Sequence, residues 1–173
     1  MFLCLHLTNH HTQYLVYPFD NPIGLINNDI VDAEETFELY RDEMIRYYSN
    51  IVGKYGNPVQ RALQKLSTLD IQTICPLHGP ILTNNLAHYI NLYDKWSKYE
   101  AETEGILIAY ATIHGGTGNA AHHMAELLRA KGTTEVTVLE LSRCDMSDAV
   151  AQAFRSSRLI VAASSYDASV FLP

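Results

Sequence analysis

The sequence predicts an α/β protein whose second half begins a doubly wound parallel sheet, and three observations support this. GILIAYA (residues 105–111) is a continuous apolar run, as expected for a strand buried on both faces. Strand patterns recur at residues 135–141 and 158–164. Helical patterns at about residues 119–131 and 146–154 separate the three strands. The order β-α-β-α-β is typical of an open sheet with parallel strands.

The first half has a different pattern of apolar residues. The polar stretch KYEAETEG (residues 98–105) separates it from the second half. Apolar residues at helical spacing predict a helix over residues 37–51, and we expect Gly53 and Gly56 to end it. A second helix is predicted to start at Asn57 and Pro58, as a cap followed by a proline. A strand over residues 69–75 and a helix over about residues 84–99 follow.

Composition excludes several classes of function. The formal net charge of −7, with no run of basic residues, argues against a nucleic-acid partner. No apolar stretch approaches the length of a membrane span, and the N-terminus lacks the basic region of a signal peptide. Cys4, Cys75 and Cys144 are odd in number and widely spaced, which favours free thiols in a reducing cytoplasm.

A glycine-rich loop follows the first strand of the second half and reads T-I-H-G-G-T-G-N (residues 112–119). Such a loop points backbone N–H groups at one spot before a helix, where an anion is favoured. Thr112 and Thr117 add hydroxyl donors. The lysine of a nucleotide-hydrolysing P-loop is absent, so the donors are neutral.

Two other interpretations of this loop stay open. Residues 116–121 fit the dinucleotide fingerprint G-x-G-x-x-A, and Glu140 stands near the end of the second strand, where a ribose-binding acid belongs. Against it, residues 112–115 intervene between the strand and the fingerprint. The loop is alternatively a tight turn that binds nothing.

The third predicted strand also ends in a candidate binding segment, S-S-Y-D-A-S-V-F (residues 164–171). Ligands of open α/β sheets bind at the carboxyl edge of the strands, where this segment lies. Tyr166 is suited to pack against a flat ring there. We predict a polar loop that contacts a planar ligand.

These residues together resemble flavodiiron proteins, over about residues 27–173. The matching stretches occur in the order and at the spacing of that family: RYYSNIVGKYG (46–56), VQRALQKL (59–66), ICPLHGPI (74–81), YDKWSKYE (93–100) and GILIAYATIHGGT (105–117). The resemblance implies the C-terminal portion of a metallo-β-lactamase-like αββα di-iron domain in residues 1–100, of which 1–25 are unmatched. It implies the N-terminal βαβαβ portion of a flavodoxin-like FMN-binding domain in residues 105–173.

The resemblance also implies site residues. His78, in C-P-L-H-G-P, takes the place of an iron ligand, and Asp20, in F-D-N-P-I-G, is a poor match to the bridging aspartate. The family's H-x-E-x-D-H ligand cluster is absent from these residues, and no catalytic side chain is assigned. His114 and Gly116 replace an aromatic residue and an asparagine of relatives. The implied FMN contacts are Thr112, Ile113, His114, Gly115, Gly116, Thr117, Ser164, Ser165, Tyr166 and Asp167.

The implied reaction is reduction of oxygen to water, or of nitric oxide to nitrous oxide. Electrons would pass from a rubredoxin-like donor through FMN to a non-haem di-iron site, in a head-to-tail homodimer. Because ligands and strands of the family are missing, we expect the chain to be incomplete for this reaction. The alternative is a non-catalytic FMN-binding electron-transfer module with a vestigial metal domain.

Overall fold

The computed structural model describes residues 4–7, 13–17, 34–76 and 81–171. These residues fall into two compact units, Met1–Tyr99 and Glu100–Pro173. The two predicted iron ligands, His78 and Asp20, lie outside the described residues. In the described part of the chain, no helix is both long enough and apolar enough to cross a membrane.

The first unit contains a three-stranded sheet in the order β1-β2-β3. β1 (Cys4–Leu7) pairs antiparallel with β2 (Gln13–Tyr17), and β2 pairs parallel with β3 (Ile71–Pro76). The sequence predicts β3 but not the two strands that precede it.

The helices of the first unit correct the expectation that two glycines separate them. α1 (Glu34–Tyr47) continues into a π-helical turn (Tyr48–Val52) and a 3₁₀ turn (Gly53–Tyr55), and α2 (Gly56–Leu66) follows at once. Asn57 is therefore not a cap but part of the first turn of α2. Gly56 serves packing instead, because a Cβ on it would lie 2.4 Å from the carbonyl oxygen of Ser97.

An aromatic cluster holds these helices together. α3 (Leu86–Ser97) contributes Tyr93 and the fully buried Trp96, whose rings both lie within 5.4 Å of each other and of the buried Tyr48 ring. Gln60 of α2 donates hydrogen bonds to Asp94 Oδ1 (2.8 Å) and Ser97 Oγ (2.7 Å) of α3. The buried rings therefore join α3 to the π-helical turn, and the hydrogen bonds of Gln60 join α2 to α3.

The second unit confirms the predicted α/β class with a parallel sheet. Its elements in order are β4 (Thr103–Ala111), α4 (Gly116–Ala130), β5 (Val136–Glu140), α5 (Met146–Arg155) and β6 (Ser156–Ala163). The strand order is β5-β4-β6, with both pairs parallel. All residues from Ile106 to Ala111 are buried, as the continuous apolar run predicts for a central strand.

α4 covers one face of this sheet. Ile106, Ile108 and Tyr110 of β4 form a buried cluster with Ala121 and Ala125 of α4. Crossovers between parallel strands are right-handed. The crossover from β4 to β5 and the crossover from β5 back past β4 to β6 run in opposite directions across the sheet. α4 and α5 therefore lie on opposite faces of the sheet.

The segment after β6 differs from the predicted polar loop. It folds as a short antiparallel hairpin of β7 (Ser165–Tyr166) and β8 (Ser169–Val170). Asp167 and Ala168 form its tip with positive φ angles of 49° and 57°. Two consecutive positive φ angles match the right-handed twist of a hairpin, which explains why a two-residue turn closes here.

Candidate functional site

The strand order of the second unit reverses at one point, and the candidate site lies there. The chain leaves β4 through α4 to reach β5, and then returns through α5 to reach β6 on the other side of β4. β4 and β6 end together, because Ala111 pairs with Ala163. A crevice outside the carboxyl ends of such strands is the usual ligand position in open α/β sheets.

The loop between β4 and α4 is built to present backbone N–H groups. The Oγ1 atom of Thr112 accepts a hydrogen bond from the N–H of Gly115 (3.0 Å), which closes the turn. Gly115 has a φ of +83°, which glycine adopts without steric cost. The N–H of Asn119 donates to the Gly115 carbonyl (2.9 Å), so the N–H groups of residues 116–118 precede the helical ladder.

The surroundings of this loop leave room for a ligand. A Cβ on Gly115 or Gly116 would meet no atom within 4 Å. His114 and Gly116 are exposed, and Ile113 is half-buried. Open space therefore lies beside the first turn of α4, and the positive end of the helix dipole favours an anion there.

A hydrogen bond joins the two segments that the sequence singles out. Thr117 Oγ1, in the first turn of α4, lies 2.8 Å from Ser164 Oγ, directly after β6. Ser164 is held in turn by its N–H, which donates to the carbonyl of Ala111 (3.2 Å). Residues 47 positions apart in sequence thus meet at the point where the strand order reverses.

The hairpin after β6 presents an aromatic side chain at the same edge. The N–H of Phe171 donates to the Ser164 carbonyl (2.9 Å), which anchors the base of the hairpin. The Tyr166 ring contacts the Phe171 ring edge-to-face, with centroids 6.4 Å apart, yet Tyr166 remains 63% exposed. Ser165 and Asp167 are exposed beside it. This arrangement leaves one aromatic ring free to stack on a planar ligand.

The carboxylate that a dinucleotide would require is already engaged. Glu140, at the end of β5, accepts hydrogen bonds from Tyr110 (3.3 Å) and from the Ser142 hydroxyl (3.1 Å). Its other contact is the Arg143 guanidinium, also at 3.1 Å. These three donors occupy most of the roughly four acceptor positions of a carboxylate, so few remain for a ribose diol. The geometry around Glu140 therefore gives the dinucleotide interpretation little support.

Both acidic groups in this cluster have shifted pKa values. Burial alone would raise the pKa of Glu140, but hydrogen bonds from Ser142 and Arg143 outweigh it and hold that pKa below its ordinary value. Burial raises the pKa of Tyr110, and the nearby Glu140 charge raises it further. The cluster is therefore a stable carboxylate with a neutral phenol as one of its donors.

The described residues contain no cluster of side chains that could bind a metal ion. No group of three or more His, Cys, Asp or Glu side chains converges anywhere in residues 4–7, 13–17, 34–76 and 81–171. The predicted iron ligands lie outside these ranges, so the expectation of a di-iron site stays a prediction.

Comparison with known proteins gives a consistent result, although no family model matches the chain. The nitric oxide reductase of Moorella thermoacetica is 29% identical over 136 residues, which is 78% of this chain and 33% of that protein. The flavodiiron protein of Giardia intestinalis superposes with a TM-score of 0.79 at 20% identity, covering 91% of this chain and 38% of that one. Rubredoxin oxygen:oxidoreductase of Desulfovibrio gigas gives 0.78 at 20% identity, covering 91% and 39%.

The chain spans about a third of the Moorella enzyme and about two fifths of the two solved structures. The structural matches extend over both compact units, since they cover 91% of the chain. The sequence resemblance is thereby confirmed: over most of its length, this chain is related to the flavodiiron proteins.

Proposed function

We propose that this chain is the FMN-binding portion of a flavodiiron-type oxidoreductase, and that it holds the FMN phosphate in the loop between β4 and α4. The observation that carries the proposal is the 2.8 Å hydrogen bond between Thr117 and Ser164. It brings the phosphate loop and the ring-contacting hairpin together at the strand-order reversal. A ligand with an anion at one end and a flat ring at the other suits both segments.

The phosphate would be held by neutral donors. The N–H groups of residues 116–118 and the hydroxyl of Thr117 line the open side of the loop. Thr112 uses an oxygen lone pair to accept from Gly115, which leaves its O–H available to donate. Lysine and arginine are absent from residues 112–119, so the helix dipole supplies the only positive potential within the loop itself.

The ring would be held by the hairpin. Tyr166 presents an exposed aromatic face, and backbone groups of Ser165 and Asp167 lie beside it. FMN bound here supplies the conversion between two-electron and one-electron transfer. The residues of this chain would orient the cofactor and bind its phosphate end.

The whole reaction belongs to the proposal as well. Names of relatives support reduction of nitric oxide or of oxygen, with a rubredoxin-like electron donor. His78 and Asp20 are our candidates for iron ligands, and a head-to-tail homodimer would bring FMN of one subunit to the iron site of its partner. A non-catalytic FMN-binding electron-transfer module with a vestigial metal domain is the second candidate.

The loop can be tested by removing both hydroxyls. A Thr112→Ala, Thr117→Ala double variant should bind FMN about tenfold more weakly than the wild type, because each neutral hydrogen bond contributes about 0.5–1.5 kcal/mol. Flavin fluorescence titration measures the affinity. The matched control is Thr133→Ala, Thr134→Ala, in the turn between α4 and β5 at the opposite edge of the sheet, and it should bind FMN like the wild type.

Two outcomes would count against the proposal. Equal FMN affinities of the wild type and the loop variant would remove the loop from the binding site. Tighter binding of NADH than of FMN would establish the dinucleotide interpretation, in spite of the engaged Glu140 carboxylate.

A further inference from the structure

Tyr110 occupies a position that the proposed cofactor site does not explain. It is the penultimate residue of β4, two positions before Thr112, and its side chain is only 6% exposed. Its ring points into the cluster under α4 rather than toward the ligand crevice. A tyrosine in an apolar cluster requires a partner for its hydroxyl, and Glu140 provides it.

Three elements meet at this side chain. Its hydroxyl donates to Glu140 at the end of β5, and its carbonyl accepts from the N–H of Leu141 (2.8 Å). Its ring lies against Gly118 in the first turn of α4, and a Cβ added there would be 3.1 Å from Cε2 of the ring. Tyr110 thus links β4, β5 and the N-terminus of α4.

Gly118 differs from the two other glycines of the loop. A Cβ on Gly115 or Gly116 meets nothing within 4 Å, whereas Gly118 is buried against the ring. Gly118 does not have a positive φ, so its backbone does not require glycine. A glycine inside a helix costs about 1 kcal/mol relative to alanine. The close approach of the Tyr110 ring is the feature that favours glycine at this position.

The first turn of α4 is also the turn that would bind the phosphate. The N–H of Gly118 and the hydroxyl of Thr117 belong to it, and Thr112 holds the other side of the loop. Hydrogen bonds weaken steeply as their geometry departs from linear, so a shift of a few tenths of an ångström in this turn changes every contact to the anion.

We propose that Tyr110 is a positioning residue: its ring against Gly118, anchored through Glu140, sets the depth at which the first turn of α4 meets the FMN phosphate. The inference rests on the proposed function. It adds a residue that does not touch the cofactor and assigns a role to Gly118, which the family resemblance does not single out.

Gly118→Ala tests this role, because the added methyl group displaces the turn from the ring. The affinity for FMN should fall about fivefold, the size of one lost hydrogen bond. The affinity for riboflavin, which lacks the phosphate, should stay within about twofold, because the ring segment is untouched. His123→Ala, an exposed change in the same helix, should alter neither affinity.

A second pair of variants separates positioning from general damage. Tyr110→Phe keeps the ring and loses the anchor to Glu140, so it should lower the FMN affinity by about threefold and leave riboflavin unchanged. Tyr110→Leu combined with Gly118→Ala removes the ring carbon that the new methyl group would meet. With Tyr110→Leu measured alone as well, the double variant should bind FMN more tightly than the sum of the Tyr110→Leu and Gly118→Ala effects predicts, since the effects of contacting residues are not additive.

The results distinguish this inference from the proposed function. A wild type that binds FMN no more tightly than riboflavin, or has no shift of its loop amides when titrated with inorganic phosphate, overturns both. If the wild type binds FMN more tightly than riboflavin, two results for Gly118→Ala would overturn the positioning role alone. The variant could keep the full difference in affinity between FMN and riboflavin, or it could lose affinity for both flavins equally.

Discussion

Replacing Gly56 by alanine should lower the free energy of unfolding of the first unit by about 3 kcal/mol, at the upper end of the cost of overpacking. The new Cβ would lie 2.4 Å from the carbonyl oxygen of Ser97 and 3.1 Å from the Tyr99 ring. The carbonyl belongs to the backbone at the end of α3, so no rotamer change relieves the contact. α2 and α3 must therefore separate, which also disturbs the packing of the α3 rings Tyr93 and Trp96 against Tyr48.

Urea unfolding followed by Trp96 fluorescence measures this effect, because Trp96 is the single tryptophan and is fully buried in the cluster. Gln64→Ala, an exposed change in the same helix, should leave the midpoint unchanged. A Gly56→Ala midpoint equal to that of the wild type would contradict the described approach of α2 to α3.

A second large effect is expected in the sheet of the second unit. Leu107 of β4 and Leu159 of β6 are register partners, but Leu107 is 1% exposed and Leu159 is 52% exposed. Leu107→Ala should cost about 2.5–5 kcal/mol, as for other buried leucines that leave a cavity. Leu159→Ala makes the same chemical change on the neighbouring strand and should cost less than about 1 kcal/mol.

Hydrogen exchange of the β4 amides measures the free energy of unfolding of the second unit in both variants. The most protected amides of a unit exchange only when the whole unit opens. Equal losses for the two variants would show that Leu159 is covered in solution. A negligible loss for Leu107 would contradict the central position of β4.

The sequence predicts the second unit well because its signals are local. The apolar run of β4 requires a strand with both faces covered, and residues Ile106 to Ala111 are buried accordingly. α4 begins at Gly116, three residues before the predicted start, because the glycines of the loop already adopt helical positions. The carboxyl-edge rule places residues 112–117 and 164–167 together before any coordinates are known.

What the sequence does not predict depends on contacts between distant residues. Gly56 has the signature of a helix end, but its actual role is the close approach to Ser97. For Gly118 too, the sequence does not show whether the glycine serves the turn or a packing contact. Its contact, the Tyr110 ring, lies on the other side of the loop. The hairpin at residues 165–170 lacks the Asn-Gly or Asp-Gly signal, because Ala168 occupies a position with positive φ that alanine rarely adopts.

Amide chemical shifts of the ¹⁵N-labelled chain during titration with FMN test the central claim most directly. We predict that the amides of residues 115–118 and 164–167 shift together and saturate at the same FMN concentration, because Thr117 and Ser164 join the two segments. The same titration with riboflavin should leave residues 115–118 unchanged. Shifts that avoid both segments, or a stronger response to NADH centred on Glu140, would contradict the account.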